Sequence, residues 1–120
     1  MKKITLLLAA STAFASSWAF SASFDCAKAS SYAEKEICSD SLLGKLDDAL
    51  ASNYQSMLGA DFGGSVKSLK AQQRKWLLER NKCTSRNCLV SSYKKRVNET
   101  CDYGVVSGVH PLCVMADEIE

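Results

Sequence analysis

The sequence lacks the residues on which small metal sites and much enzyme chemistry depend. It contains a single histidine, His110, and no Cys-x-x-Cys motif, so the usual zinc-binding sets are missing. A histidine base needs a nucleophile within reach, and none is evident for His110. Asp47 and Asp48 are neighbours in a predicted helix and point to different sides, which argues against an acid/base pair. The sequence therefore predicts a protein that binds no metal or cofactor and has no enzymatic activity.

A long apolar run is also missing. Residues 4–10 form a run that is apolar except for Thr5 and is too short to span a bilayer. Two lysines precede this run and small residues follow it, which is the pattern of a signal peptide. We predict a leader over residues 1–21, cleaved near Ser21 or Ala22, and therefore a periplasmic or secreted protein. An uncleaved membrane anchor is the alternative, and the short apolar run argues against it.

An excess of one charge sign is absent too. The chain has 15 basic and 13 acidic residues, and removing a leader with Lys2 and Lys3 leaves 13 of each sign. Nucleic-acid binding needs a lasting basic excess, so no nucleic-acid partner is predicted. The signs are nevertheless segregated: residues 67–96 carry ten bases and one acid, and residues 97–120 carry five acids and no Lys or Arg. Such segregation indicates internal pairing or an oriented docking surface.

Cysteine, by contrast, is abundant for a chain of this size. All six cysteines follow the predicted leader: Cys26, Cys38, Cys83, Cys88, Cys101 and Cys113. An even count in a small exported chain predicts three disulfides, each worth roughly 2–4 kcal/mol. Sequence neighbours favour the pairs 26–38, 83–88 and 101–113. A crossed arrangement that links the first two cysteines to the 83–88 region stays open.

The apolar periodicity indicates helices and no strand. Ser31 and Glu34 form a capping-box pattern for a first short helix. Apolar residues spaced three and four apart predict a longer second helix over about 41–58. The pair Gly63–Gly64 breaks it before a third helix over about 66–82. We predict an all-α domain.

A further short apolar face follows the third helix. Leu89, Tyr93 and Val97 share this face, and the basic run 94–96 suits the dipole of a last helical turn. Beyond Thr100 the pattern dissolves, so Cys101 to Cys113 is predicted to be an irregular loop. The organisation expected is therefore a helical domain over 22–100 and a disulfide-containing tail over 101–120.

The two long helices are expected to be antiparallel because their connection is short. Folding them together places Asp47 near Arg80, with Trp76 packed beside them, and Tyr54 near Gln73. We interpret this set as core packing with a semi-buried Asp47–Arg80 ion pair. A polar functional site formed by the same residues is the alternative.

An ordered set of these residues resembles the LprI-like family, small exported domains named after a mycobacterial lysozyme-inhibiting lipoprotein. The set consists of Phe24-Asp25-Cys26-Ala27-Lys28-Ala29, Glu34 to Asp40, Leu46-Asp47, Tyr54, Gln73 to Leu77, Arg80, Cys83, Cys88-Leu89 and Tyr93. The resemblance covers about residues 24–97 and implies a helical, disulfide-bonded periplasmic domain that inhibits lysozyme. A lipidation cysteine is missing here, and the tail with Cys101 and Cys113 lies outside the family pattern.

The function expected is therefore binding of a protein partner without chemistry. The first hypothesis is an inhibitor of a lysozyme-type muramidase; the alternative is an immunity or accessory protein for another toxin or envelope partner. Animal-type lysozymes are strongly basic, so exposed acids would complement them. The predicted partner contacts are Asp48, Asp61, Asp117, Glu118 and Glu120.

Overall fold

A computed structural model describes residues 23–59, 65–102 and 113–120 of the chain. It contains four α-helices: α1 (Tyr32–Ser39), α2 (Ser41–Gly59), α3 (Val66–Arg80) and α4 (Arg86–Asp102). Short 3-10 turns lie at Cys26–Lys28 and Ala116–Glu118. These three ranges contain no strand, and the predicted all-α class is confirmed. In the same ranges, no helix is both long enough and apolar enough to cross a membrane.

Polar side chains fix where the helices begin. Ser31 and Glu34 form the predicted capping box, since the Ser31 hydroxyl accepts from the Glu34 amide and Glu34 accepts from the Ser31 amide. The Ser31 hydroxyl and the Ser31 amide both donate to the Glu34 carboxylate, which stabilises its ionised form and lowers the pKa of Glu34. Asp40 accepts from the Leu43 amide at the start of α2, and Ser65 caps α3. Each cap satisfies a backbone N–H that has no partner inside its helix.

Contacts between side chains give the helix directions. Asp40 contacts Arg86, Asp47 contacts Tyr93 and Asn53 contacts Val97, at sequence separations of 46, 46 and 44. A nearly constant separation means that α2 and α4 run parallel. In contrast, Trp76 of α3 contacts Ser92 of α4, and Gln73, earlier in α3, contacts Arg96, later in α4. Helix α3 is therefore antiparallel to α4, and so to α2, as predicted for the helical hairpin.

The main packing interface is nevertheless the one between α2 and α4, not the hairpin interface between α2 and α3. Buried residues of α1, α2 and α4 form the core, together with Cys83 and Ala116. Its apolar members include Ala33, Ile37, Leu43, Leu46, Leu50, Leu89, Tyr93 and Val97. Helix α3 buries little, because only Leu69 and Arg80 are fully buried on it. Val66, at the start of this helix, is 44% exposed.

The predicted end of the last helix is wrong. Helix α4 continues to Asp102, so Lys94, Lys95 and Arg96 lie in its middle and not in its last turn. Arg96 is 4% exposed and Thr100 is fully buried. The sequence pattern failed here because an arginine and a threonine occupy buried positions that periodicity assigns to apolar residues.

Three disulfides connect sequence neighbours and leave no cysteine thiol unpaired. They join Cys26 to Cys38, Cys83 to Cys88, and Cys101 to Cys113. This is the arrangement that sequence proximity favoured, and the crossed arrangement is not formed. The first bridge ties the N-terminal 3-10 turn to α1, the second closes the α3–α4 turn, and the third links α4 to the residues that follow position 112.

The C-terminal residues 113–120 lie against α2 and α4. The Asn53 side chain donates to the Val114 carbonyl at 2.8 Å and accepts from the Val114 amide at 3.0 Å. The Ala116 amide donates to the Asn98 side chain at 2.8 Å, and Lys45 donates to the Glu120 backbone oxygen. The tail is therefore held by specific hydrogen bonds as well as by its disulfide.

Candidate functional site

A buried polar network joins three of the helices. The Tyr93 hydroxyl of α4 donates to Asp47 Oδ1 of α2 at 2.9 Å, and Arg80 Nη1 of α3 donates to the Tyr93 oxygen at 3.1 Å. Asp47, Tyr93 and Arg80 are 3%, 0% and 6% exposed. We call these three residues the central network. Buried charges need such partners because an unsatisfied buried charge is strongly destabilising.

The prediction of a direct ion pair between Asp47 and Arg80 is wrong, because a third residue lies between the two charges. Within the described residues the two side chains form no direct salt bridge, and the Tyr93 hydroxyl lies between them. The physical reason is that α4, not α3, packs most extensively on α2 and brings Tyr93 into the space. Each charge has a second partner: the Ser23 amide donates to Asp47, and Arg80 donates to the Asn81 side chain at 3.0 Å.

Protonation in the network favours a structural role. The pKa of Tyr93 lies far above its ordinary value. Burial is the larger cause, and the negative charge of Asp47 is the second. The phenol therefore remains a hydrogen-bond donor to Asp47 throughout the physiological pH range. A group held in one protonation state does not serve as an acid or base near neutral pH.

The predicted core residues meet at one cavity of about 290 Å³ between α2 and α3. Asp47, Tyr54, Gln73, Trp76 and Arg80 all contribute to its lining. The structure brings these five side chains to one place, but only Asp47 and Arg80 are buried there, whereas Tyr54, Gln73 and Trp76 are half-buried and line the cavity. Tyr93 is buried beneath them and contacts Trp76 edge-on, with ring centroids 4.9 Å apart.

Trp76 is only half-buried, although it contacts two residues of the central network, Tyr93 and Arg80. Its indole N–H donates to Ser92 Oγ at 3.0 Å. The Arg80 guanidinium lies 5.8 Å from its ring centroid and 5.9 Å from that of Phe24. These distances are within the range of cation–π contacts. The ring therefore shields the buried arginine from water on one side and remains accessible on the other.

The acids predicted to contact a partner differ in exposure. Asp117, Glu118 and Glu120 are exposed on the C-terminal segment. Asp48 is half-buried, contrary to the expectation of an exposed acid, and burial together with the Asp47 charge raises its pKa. Asp61 lies outside the described residues, as do His110 and the predicted leader. Among the residues that the structure describes, no cluster of His, Cys, Asp and Glu could hold a metal ion.

Sequence reasoning missed the polar residues that attach α4 to its neighbours. Asn53 is 1% exposed and hydrogen-bonds to both α4 and the tail. Its position between Leu50 and Met57 at helical spacing was the available signal, because an amide in an apolar stripe needs a buried partner. Arg96 donates to Gln73 at 2.9 Å, and its spacing from Leu89 and Tyr93 offered the same signal.

Comparison with known families adds one finding. A family model described as "Lysozyme inhibitor LprI" matches residues 26–104, which is more than half of the chain. The matched range includes the central network, the first two disulfides and all four helices. It also includes Cys101, which was expected to lie outside the family pattern, and ends before Cys113. Searches of curated proteins and of solved structures found no match.

Proposed function

Because the chain belongs to the LprI family of lysozyme inhibitors, we propose that it binds and inhibits a lysozyme-type muramidase outside the cytosol, without performing chemistry itself. The family match is the observation that carries this proposal. Three disulfides in a small domain suit an oxidising compartment such as the periplasm or the extracellular space. The leader pattern of residues 1–21 supports the same location.

The C-terminal acids supply a docking surface for a cationic enzyme. Asp117, Glu118 and Glu120 are exposed on a segment that Asn53 and Asn98 fasten to the helices. A fixed segment presents its charges with little loss of conformational entropy on binding. Opposite charge mainly accelerates encounter, so we expect these acids to affect association more than dissociation.

Clearing of a cell-wall suspension by lysozyme tests the proposal directly. Excess protein is expected to slow the loss of turbidity. The Debye length is about 8 Å at physiological ionic strength and shortens as salt is added, so inhibition is expected to weaken when the salt concentration rises above this level. Unchanged clearing at a large molar excess of folded protein would contradict inhibition and favour an immunity or structural role.

A single charge reversal tests the docking surface. Asp117→Lys is expected to slow association with lysozyme several-fold and to change dissociation less. Asp25→Lys is the matched control, because it makes the same charge change at another exposed acid outside the tail. Equal effects of the two variants would mean that net charge, and not the tail surface, controls association. Surface-plasmon or interferometry measurements separate the two rates.

A further inference from the structure

A second cavity, outside the central network, lies between α3 and α4. We call it the α3–α4 groove; its volume is about 390 Å³. Its lining residues are Gln72, Lys75, Trp76, Glu79, Ser92, Lys95, Arg96 and Glu99. Basic side chains from both helices line the groove, and none of the tail acids of the proposed docking surface is among its lining residues.

Arg96 gives the groove an unusual chemical feature. The residue is 4% exposed, and two of its nitrogens are engaged: Nε donates to Gln73 Oε1 at 2.9 Å and Nη1 donates to Glu99 Oε2 at 3.3 Å. The third nitrogen, Nη2, is buried and has no hydrogen-bond partner among the described residues. A buried cationic donor without an acceptor is costly, so a small movement of the groove side chains that lets an acceptor reach Nη2 would be favoured.

The charges around Nη2 define the acceptor. Three cations line the groove (Lys75, Lys95 and Arg96), together with two acids. Glu79 is paired at 3.1 Å with Lys82, which is not a lining residue, and Glu99 lies 3.3 Å from Arg96 Nη1 and 3.8 Å from Lys95. Counted over the lining residues alone, three cations against two acids leave one positive charge in excess. This balance suits a monoanionic carboxylate, whereas a phosphate dianion would meet greater repulsion from the two acids.

We propose that the α3–α4 groove binds a carboxylate that an acidic side chain of the protein partner provides. The Arg96 guanidinium would donate from Nη2 and Lys75 would contribute a second positive charge. The groove adjoins a second depression, which shares Gln72, Lys95 and Glu99 and includes Asn98. Asn98 binds the tail, so the groove and the proposed docking acids lie along one surface of α4. The choice of a protein as the source of the carboxylate rests on the proposed function.

Direct titration tests the carboxylate site independently of any muramidase. Trp76 lines the groove, and it is the only tryptophan that remains once the predicted leader, which contains Trp18, is removed. Sodium acetate replacing sodium chloride at constant ionic strength is expected to give a saturable shift of the Trp76 indole N–H resonance. Lys75→Gln is expected to weaken acetate binding about fivefold, the scale of one exposed charge interaction. Lys70→Gln, which removes an exposed lysine of the same helix outside the groove, is the matched control.

Arg96→Lys examines the proposed donor itself, because it keeps the positive charge and removes Nη2. A weaker acetate titration in a variant with an unchanged circular-dichroism spectrum supports the assignment. If this variant does not fold, the pair Lys75→Gln and Lys70→Gln decides the question alone. A shift that does not saturate, or one that both lysine variants weaken equally, would overturn the site.

Binding to lysozyme then identifies the source of the carboxylate. Lys75→Gln is expected to weaken binding to lysozyme more than Lys70→Gln does. Saturable acetate binding combined with equal lysozyme affinity in both variants would overturn the protein source and indicate a small free carboxylate. Acetate binding by a protein that does not bind lysozyme would overturn the proposed function and leave the carboxylate site standing. The two proposals therefore fail in distinguishable ways.

Discussion

The central network and the C-terminal attachment both place polar groups between helices, but they use different chemistry. The central network buries two opposite charges, Asp47 and Arg80, on either side of the Tyr93 hydroxyl. The tail is held mainly by neutral hydrogen bonds from the amides of Asn53 and Asn98, with a disulfide at its start. One region depends on two opposite charges bridged by a buried hydroxyl, and the other on neutral hydrogen bonds that are buried or partly buried.

The difference shows how each region should respond to damage. Removing one member of the central network leaves a charge in the core without its counter-charge, and the cost falls on the packing of three helices. Loss of a tail hydrogen bond affects one segment, because the 101–113 disulfide still limits how far it can move. We therefore expect global destabilisation in the first case and local opening in the second.

The largest effect is expected for Asp47→Ala. The substitution removes the only carboxylate hydrogen-bonded to Tyr93 among the described residues and leaves Arg80 buried without that counter-charge. The free energy of unfolding should fall by about 3 kcal/mol, the scale of a broken buried pair. Urea denaturation measures it. Asp117→Ala, at an exposed acid, should change stability by less than about 0.5 kcal/mol.

Equal losses in these two variants would contradict the network's structural role. So would a normally stable Asp47→Ala variant that no longer inhibits lysozyme, because this result would make the network a binding site. In that case the cavity between α2 and α3 would be the contact surface.

An intermediate effect is expected for Asn53→Ala. This change removes hydrogen bonds to the Val97 and Val114 carbonyls and from the Val114 amide. We expect a loss of about 1–3 kcal/mol, since the partly buried amide and carbonyl of Val114 lose their partner, whereas the Val97 carbonyl keeps its bond from Thr100. Hydrogen exchange should accelerate at Val114 and Ala116 more than in α2. Asn87→Ala, at an exposed asparagine of α4, is the control; similar exchange in both variants would exclude Asn53 as the tail anchor.

The smallest effect concerns the surface pair Asp40–Arg86 and its pH dependence. Arg86 Nε donates to Asp40 Oδ2 at 2.6 Å, and this bond lowers the pKa of Asp40 in the folded state. A carboxyl group whose pKa is lower in the folded than in the unfolded state stabilises the fold at pH values above its unfolded pKa, which is about 3.9 for Asp. This contribution disappears as the pH falls through the lowered pKa of the folded state. Asp40→Asn keeps a side chain that can cap α2 and removes the charge.

We therefore expect Asp40→Asn to be less stable than the parent at neutral pH and to approach it in acid. Urea denaturation at pH 7 and at about pH 3 measures the difference. Asp117→Asn controls for the loss of an exposed acid. A stability difference that stays constant between the two pH values would mean that the Arg86 contact contributes nothing through the charge of Asp40.

The fold was largely predictable from local patterns. Ser31 and Glu34 identified the first helix because capping depends on residues three positions apart, and the apolar spacing of residues 42–58 identified the second. The favoured disulfide pairs followed from proximity along the chain. The set Asp47, Tyr54, Gln73, Trp76 and Arg80 was also expected to converge, because a short connection makes the two long helices antiparallel.

The sequence by itself thus determined the helical class, the cysteine framework and the residues that meet between α2 and α3. Only the tertiary structure decided that α4 packs parallel to α2, because that contact depends on non-local packing that local periodicity does not encode. This packing places Tyr93 between Asp47 and Arg80, and buries Asn53, Arg96 and Thr100. Each of these three buried side chains has a hydrogen-bond partner. Asn53 donates to the Val97 carbonyl, Arg96 donates to the Gln73 side chain, and Thr100 donates to the Arg96 carbonyl of its own helix.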